Sequence, residues 1–104
     1  MESKKYHIFV DSSADKRFAA HIEFLARVSE NAADKLYKYY EEALHFIEDN
    51  PESCPLYIFK IPVNEQLRYK LFGKRYRIVF GITDKSVFIY DIQDCRQDSD
   101  KNLL

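Results

Sequence analysis

The sequence predicts an α+β fold: an N-terminal strand, an antiparallel hairpin of two helices, then a three-stranded antiparallel sheet. Three observations carry this. A short β-branched and aromatic run, Tyr6 to Val10, comes first. Two stretches with helical apolar spacing follow, separated only by "SE". Three strand-like stretches, 66–72, 75–82 and 87–92, come last, with turn-forming residues between them.

Each element has a local reason. After the first strand, "DSSADKR" offers Ser12 as helix N-cap, with Asp15 in the first turn, where the positive helix end favours a carboxylate. Phe18, Ile22 and Leu25 then repeat at helical spacing to about Val28. "SENAADK" restarts a helix with Asn31 as cap and Asp34 in its first turn. Its apolar stripe is Ala32, Leu36, Tyr39, Ala43 and Ile47, and Asn50-Pro51 ends it because proline disfavours helical geometry in the preceding residue. "PESCPLYIFKIPVNE" is broken by prolines and has no clear period, so it reads as a connector with a short extended piece. Gly73-Lys74 suits a two-residue hairpin turn and Thr83-Asp84-Lys85-Ser86 a four-residue one. The tail "DCRQDSDKNLL" is polar and is expected to fray.

With 104 residues, 46% of them apolar and 32% charged, the chain reads as one globular domain, 1–104. No run is long or apolar enough for a membrane span or a signal peptide, which makes the cytoplasm the expected location. Two cysteines, Cys54 and Cys95, make no disulfide framework, and His7, His21 and His45 lack ligand-like spacing. Neither a metal nor a cofactor is expected. The net charge of −1 hides an asymmetry: residues 11–53 hold ten acids and five bases, residues 54–90 two acids and seven bases.

A two-residue turn at 73–74 would set Phe72 opposite Arg75, and so Lys70 opposite Arg77. Leu71/Tyr76, Tyr69/Ile78 and Leu67/Phe80 would then share an apolar face against the helices. Lys70/Arg77 and Arg68/Val79 would share the other with Arg75, and the third strand would add Tyr90 opposite Val79 and Phe88 opposite Gly81. Like charges facing each other across strands are destabilising, so this register calls for an anionic partner, either phosphate or acidic side chains. A solvated strand face whose cations discourage edge pairing is the plainer alternative. Were the partner RNA, Arg77 could stabilise a phosphorane and Lys70 or Arg68 could hold the phosphate. Tyr90 could stack a base or act as a weak acid. The hairpin has no histidine, the usual acid–base residue near neutral pH.

The order and lengths of these elements, together with "RYRIVFGITDKSVFIYDIQDCRQD", resemble the RelE/ParE superfamily of bacterial type II toxin–antitoxin toxins. The resemblance covers nearly the whole chain. It implies a toxin, of the kind associated with plasmid stabilisation, and a cognate antitoxin partner. RelE-like members are mRNA interferases that cut ribosome-bound messenger RNA. By motif, their basic positions fall on Arg68 and Lys70 of "RYK", Arg77 of "YRI", and Arg96 or Gln97, of which Arg96 is the better chemical candidate. Their C-terminal tyrosine or histidine has no counterpart in "DSDKNLL". ParE-like members poison DNA gyrase, and the long paired helices resemble theirs. Three readings stay open: a binding toxin directed at gyrase, an endonuclease using Arg68, Lys70, Arg77 and Arg96, and a repurposed domain. An antitoxin, partly disordered until bound, is expected on the sheet at Arg75, Phe88 and Tyr90 or along a sheet edge, and a heterotetramer with it is among the expected assemblies.

Overall fold

The computed structural model describes residues 5–57 and 66–95. Strand β1 (His7–Val10) leads into α1 (Ser12–Val28) and α2 (Glu30–Asp49). A short 3₁₀ turn, Pro51–Ser53, precedes β2 (Leu56–Tyr57), β3 (Leu67–Phe72), β4 (Tyr76–Thr83) and β5 (Ser86–Asp94). The sheet order is β1-β5-β4-β3-β2. Strand β1 runs parallel to β5 and the other neighbours are antiparallel. The α+β class and the element order are as the sequence predicts, but among the described residues the sheet is mixed and has five strands. The connector supplies β2, and β1 joins the same sheet. Strand β5 lies between β1 and β4, its Val87 and Ile89 facing the helices and its Tyr90 packing in the outer aromatic cluster.

Both helix starts sit earlier than expected. Asp11, not Ser12, caps α1: its carboxylate accepts from the Ser13 backbone N–H at 3.1 Å and from the Ser13 hydroxyl. Ser29, not Asn31, caps α2, its hydroxyl accepting from Ala32 N at 3.2 Å while its own N–H donates to Leu25 O at 2.8 Å. One residue therefore closes α1 and opens α2. The buried stripe of α2 is Ala33, Leu36, Tyr40, Ala43 and Ile47, so Tyr40 and not Tyr39 enters the core. Asn50 and Pro51 end α2 as the sequence predicts.

The helices cover one face of the sheet. Ile47, Ile78, Phe80 and Val87 are fully buried between the layers, each contributing about 1.5–3 kcal/mol by leaving water. Phe18 packs on Tyr40 with ring centroids 4.3 Å apart, and Tyr40 on Phe72 at 5.6 Å. Burial, aided by the nearby charge of Asp15, pushes the Tyr40 hydroxyl up to about 12. Among the described residues no helix is long and apolar enough to cross a membrane.

The β3–β4 turn has three residues, not two. Phe72 pairs with Tyr76, leaving Gly73, Lys74 and Arg75 in the loop, with φ of 60° at Gly73 and 71° at Lys74. The packing supplies the reason. In this register Phe72 and Tyr76 both face the helices and stack 5.5 Å apart, whereas a two-residue turn would set Phe72 beside Arg75 on the opposite face. Glycine is favoured at the first loop position: a Cβ there would lie 2.9 Å from Leu36 Cδ1, which would have to shift, and the left-handed φ strains a larger residue. Beyond the next turn Phe88 does face Gly81, but a bulge shifts the ladder so that Val79 meets Asp91 and Tyr90 is the extra residue.

Candidate binding surface

A one-residue change of register sends every β3 side chain to the other side of the sheet. Lys70 pairs with Ile78 and Arg68 with Phe80, both core residues, so these two cations lie on the helix side at the margin of the core. The Lys70 ammonium sits 4.2 Å from the Phe46 ring centroid on α2. Arg68 Nη1 donates to Cys54 O at 2.6 Å. Burial raises the Cys54 thiol pKa, and the charges of Lys70 and Arg68 only partly oppose that.

Arg77 lies on the opposite, outer face. Its Nε donates to Gln93 Oε1 at 2.6 Å, and its guanidinium carbon stands 5.0 Å from the Tyr57 ring centroid. Gln93 Nε2 donates in turn to Asp91 Oδ2 at 3.0 Å, and Asp91 Oδ1 takes a charge-assisted bond from Arg17 of α1. The side chains Arg17–Asp91–Gln93–Arg77 thus form one chain, with Asp91 and Gln93 buried in it. Arg75, in the turn, reaches Asp94 Oδ2 at 3.5 Å and lies over the Tyr76 ring at 5.3 Å. Its buried Nε has no hydrogen-bond partner among the described residues.

The opposed pair of cations that the two-residue turn implies is therefore absent. Arg68 and Lys70 are held on one side of the sheet and Arg77 on the other, and Arg96 lies outside the described residues. The expectation of a single basic face is corrected by the length of one turn. A signal was present in the sequence: Phe72 and Tyr76 both suit a core, and only an odd loop puts them on the same face.

What the outer face does carry is aromatic. Tyr57, Leu67 and Val79 are buried there with Tyr69 and Tyr90 packed against them. Gly81 makes room for this arrangement, since a Cβ would stand 3.0 Å from Leu67 and 3.2 Å from Tyr90. Phe88 stacks on Phe9 across the β1–β5 pair at 5.2 Å and 17°, with Phe9 half exposed. Phe88 and Tyr90, singled out from the sequence as partner contacts, share this face, while Arg75 stands at the turn beside it. Sequence reasoning missed Arg17, Asp91 and Gln93. The acid and the amide two residues apart in an otherwise apolar strand were the available sign.

Such a surface can stack rings and bury apolar side chains; its described cation is already engaged by Gln93 and Tyr57. A strand, a helical hairpin and antiparallel strands in this order are the arrangement that the resemblance to type II toxins implies. The family model described as the ParE toxin of the type II toxin–antitoxin system parDE matches residues 8–99. The chain belongs to that family. No curated protein matches it.

Proposed function

We propose that this toxin acts by binding, with DNA gyrase as its target, and that a cognate antitoxin neutralises it by covering the aromatic outer face around Phe88 and Tyr90. The observation that supports this is the dispersal of the cations. Cleavage of RNA through attack of a 2′-hydroxyl needs phosphate contacts and proton donors converging within hydrogen-bond reach of one reacting phosphate. Arg68 and Lys70 face the helices and Arg77 faces away from them, bonded to a buried amide. Binding asks for no such convergence, and exposed aromatic surface favours it.

The test compares two assays on the same folded, antitoxin-free protein. Gyrase supercoiling is expected to be inhibited, and primer extension on ribosome-bound messenger RNA is expected to show no new breaks. Breaks at A-site codons that disappear with Arg77→Ala, with supercoiling intact, would replace this reading by the endonuclease one.

A further inference from the structure

Strand β1 ends the sheet, and among the described residues no strand lies beyond it. In a parallel pair only alternate residues of a strand bond its neighbour. His7 N–H donates to Lys85 O at 2.8 Å and Asp11 N–H to Ile89 O at 2.9 Å, so residues 7, 9 and 11 turn their backbone polar groups towards β5. Those of Tyr6, Ile8 and Val10 point off the edge. There the Tyr6 N–H is taken by Glu48 O, at the end of α2, at 2.9 Å. The open stretch is therefore Ile8 to Val10.

Sheet edges are ordinarily guarded against pairing by lysine, proline or a bulge. The run "YHIFV" has neither residue, and its ladder to β5 is regular from His7 to Val10. Its side chains divide between the two faces. Ile8 and Val10 pack against the core, whereas Phe9 stacks on Phe88 on the outer face and is still 52% exposed.

We infer that β1 pairs antiparallel with β1 of a second copy of this chain, about a two-fold axis through Phe9. The unused backbone groups choose the register. Setting Ile8 opposite Val10 of the other copy makes a hydrogen-bonded pair on each side of the axis, and employs the outward N–H and C=O of both residues in both copies. Centring on Ile8 would set Val10 opposite Tyr6, whose N–H is already engaged, and centring on Val10 would set Ile8 opposite Ser12 of α1. In the chosen register Phe9 meets Phe9 at a non-hydrogen-bonded position, where side chains stand closest, and the rings follow one another as Phe88, Phe9, Phe9 and Phe88. His7 faces Asp11 of the other copy, so like charges do not meet along the seam. The contact is isologous and closes at two copies. Its axis stands perpendicular to the sheet, which puts both helical hairpins on one side and both outer aromatic faces on the other. A strand of a different chain would bond the same edge. The self-matching of the free groups and of His7 with Asp11 favours a second copy, and the pairing does not depend on the toxin's target.

Pairing over so short a strand makes a small interface and a weak dimer, so sedimentation equilibrium of the full chain spans about 10 µM to about 1 mM. The wild type is expected to rise from monomer towards dimer mass over that range. Phe9→Lys, which sets two cations face to face, is expected to remain monomeric, with circular dichroism to establish that it folds. Register is read from disulfides formed on air oxidation in a Cys95→Ser background, where the remaining Cys54 is buried. Phe9→Cys is expected to cross-link, because its Cβ faces its own copy at about 4.5–5.5 Å. His7→Cys, displaced about 13 Å along the strand from its copy, is expected not to. A wild type that stays monomeric over the whole range would overturn the inference and leave the edge to a strand of another chain. Dimerisation of folded Phe9→Lys at wild-type strength would overturn it by moving the interface elsewhere. Cross-linking of His7→Cys as readily as Phe9→Cys would overturn the register and its axis. Should Phe9→Lys fail to fold, the two cysteine variants decide between these outcomes.

Discussion

Replacing Arg77 by alanine asks whether this cation is a free catalytic group or part of the framework. The substitution removes the 2.6 Å hydrogen bond to Gln93, a buried acceptor, and the guanidinium's stacking on Tyr57 at 5.0 Å. A hydrogen bond with a charged donor contributes about 1.5–3 kcal/mol, and a half-exposed cation–aromatic contact about 0.5–1 kcal/mol. Together the loss is about 2–4 kcal/mol. For Lys70→Ala only the contact with Phe46 disappears, and the expected cost is below about 1 kcal/mol. Urea unfolding followed by far-ultraviolet circular dichroism resolves the two. With a slope of about 1.5 kcal/mol per molar, Arg77→Ala lowers the midpoint by roughly 1–3 M and Lys70→Ala by roughly half a molar or less. Gln93→Ala, alone and combined with Arg77→Ala, should give a coupling of about 1 kcal/mol or more. An Arg77→Ala midpoint within about 0.3 M of wild type would refute the reasoning, since it would show that the guanidinium is not held as described.

Gly73→Ala combines a left-handed backbone with a Cβ 2.9 Å from Leu36, and should lower stability in the same assay by about 2 kcal/mol. Burial pushes the Tyr40 hydroxyl from its ordinary 10.0 up to about 12, so its stabilising effect is complete below pH 10 and is lost as the pH rises from there towards 12. Tyr40→Phe should remove this part of the alkaline loss in thermal melts recorded between those pH values. In a thiol-reagent titration the exposed Cys95 should react promptly and the buried Cys54 only on unfolding. Two rapid equivalents from native protein would contradict the burial of Cys54.

Periodicity revealed the helices because an amphipathic helix must turn one stripe inward whatever it packs against. It placed Ala43, Ile47 and Leu36 correctly and misplaced Ala32 and Tyr39, whose neighbours Ala33 and Tyr40 are the buried ones. Serine and asparagine are both good caps, so the choice between Ser29 and Asn31 was undecided locally. Tyr39 and Tyr40 both lie within one turn of Leu36, and packing on Phe18 and Phe72 selects Tyr40. The strands were legible as strands. Their pairing was not, because a turn containing Gly73 can close with two or three residues, and contacts far away in sequence decide between them. Phe72 and Tyr76 make that decision by packing beside Phe18 and Tyr40. From this one choice follows the separation of Lys70 from Arg77, which is why the individual cations could be named but not their arrangement. The bulge at Tyr90 is likewise a tertiary adjustment. The tail, including Arg96, and the part of the connector at 58–65 fall outside the described residues.

Ser29 has a further consequence. Its extended backbone, φ −160° and ψ 111°, is the whole joint between α1 and α2, and its polar groups are committed to the helices on both sides. A joint of one residue with its hydrogen bonds satisfied leaves the hairpin little slack, so the angle of α2 above the sheet is set before any partner arrives. The helical hairpin then has little conformational freedom to give up on association. Changes that loosen this joint, such as Ser29→Gly, therefore act on affinity at a distance, without touching a single side chain in an interface.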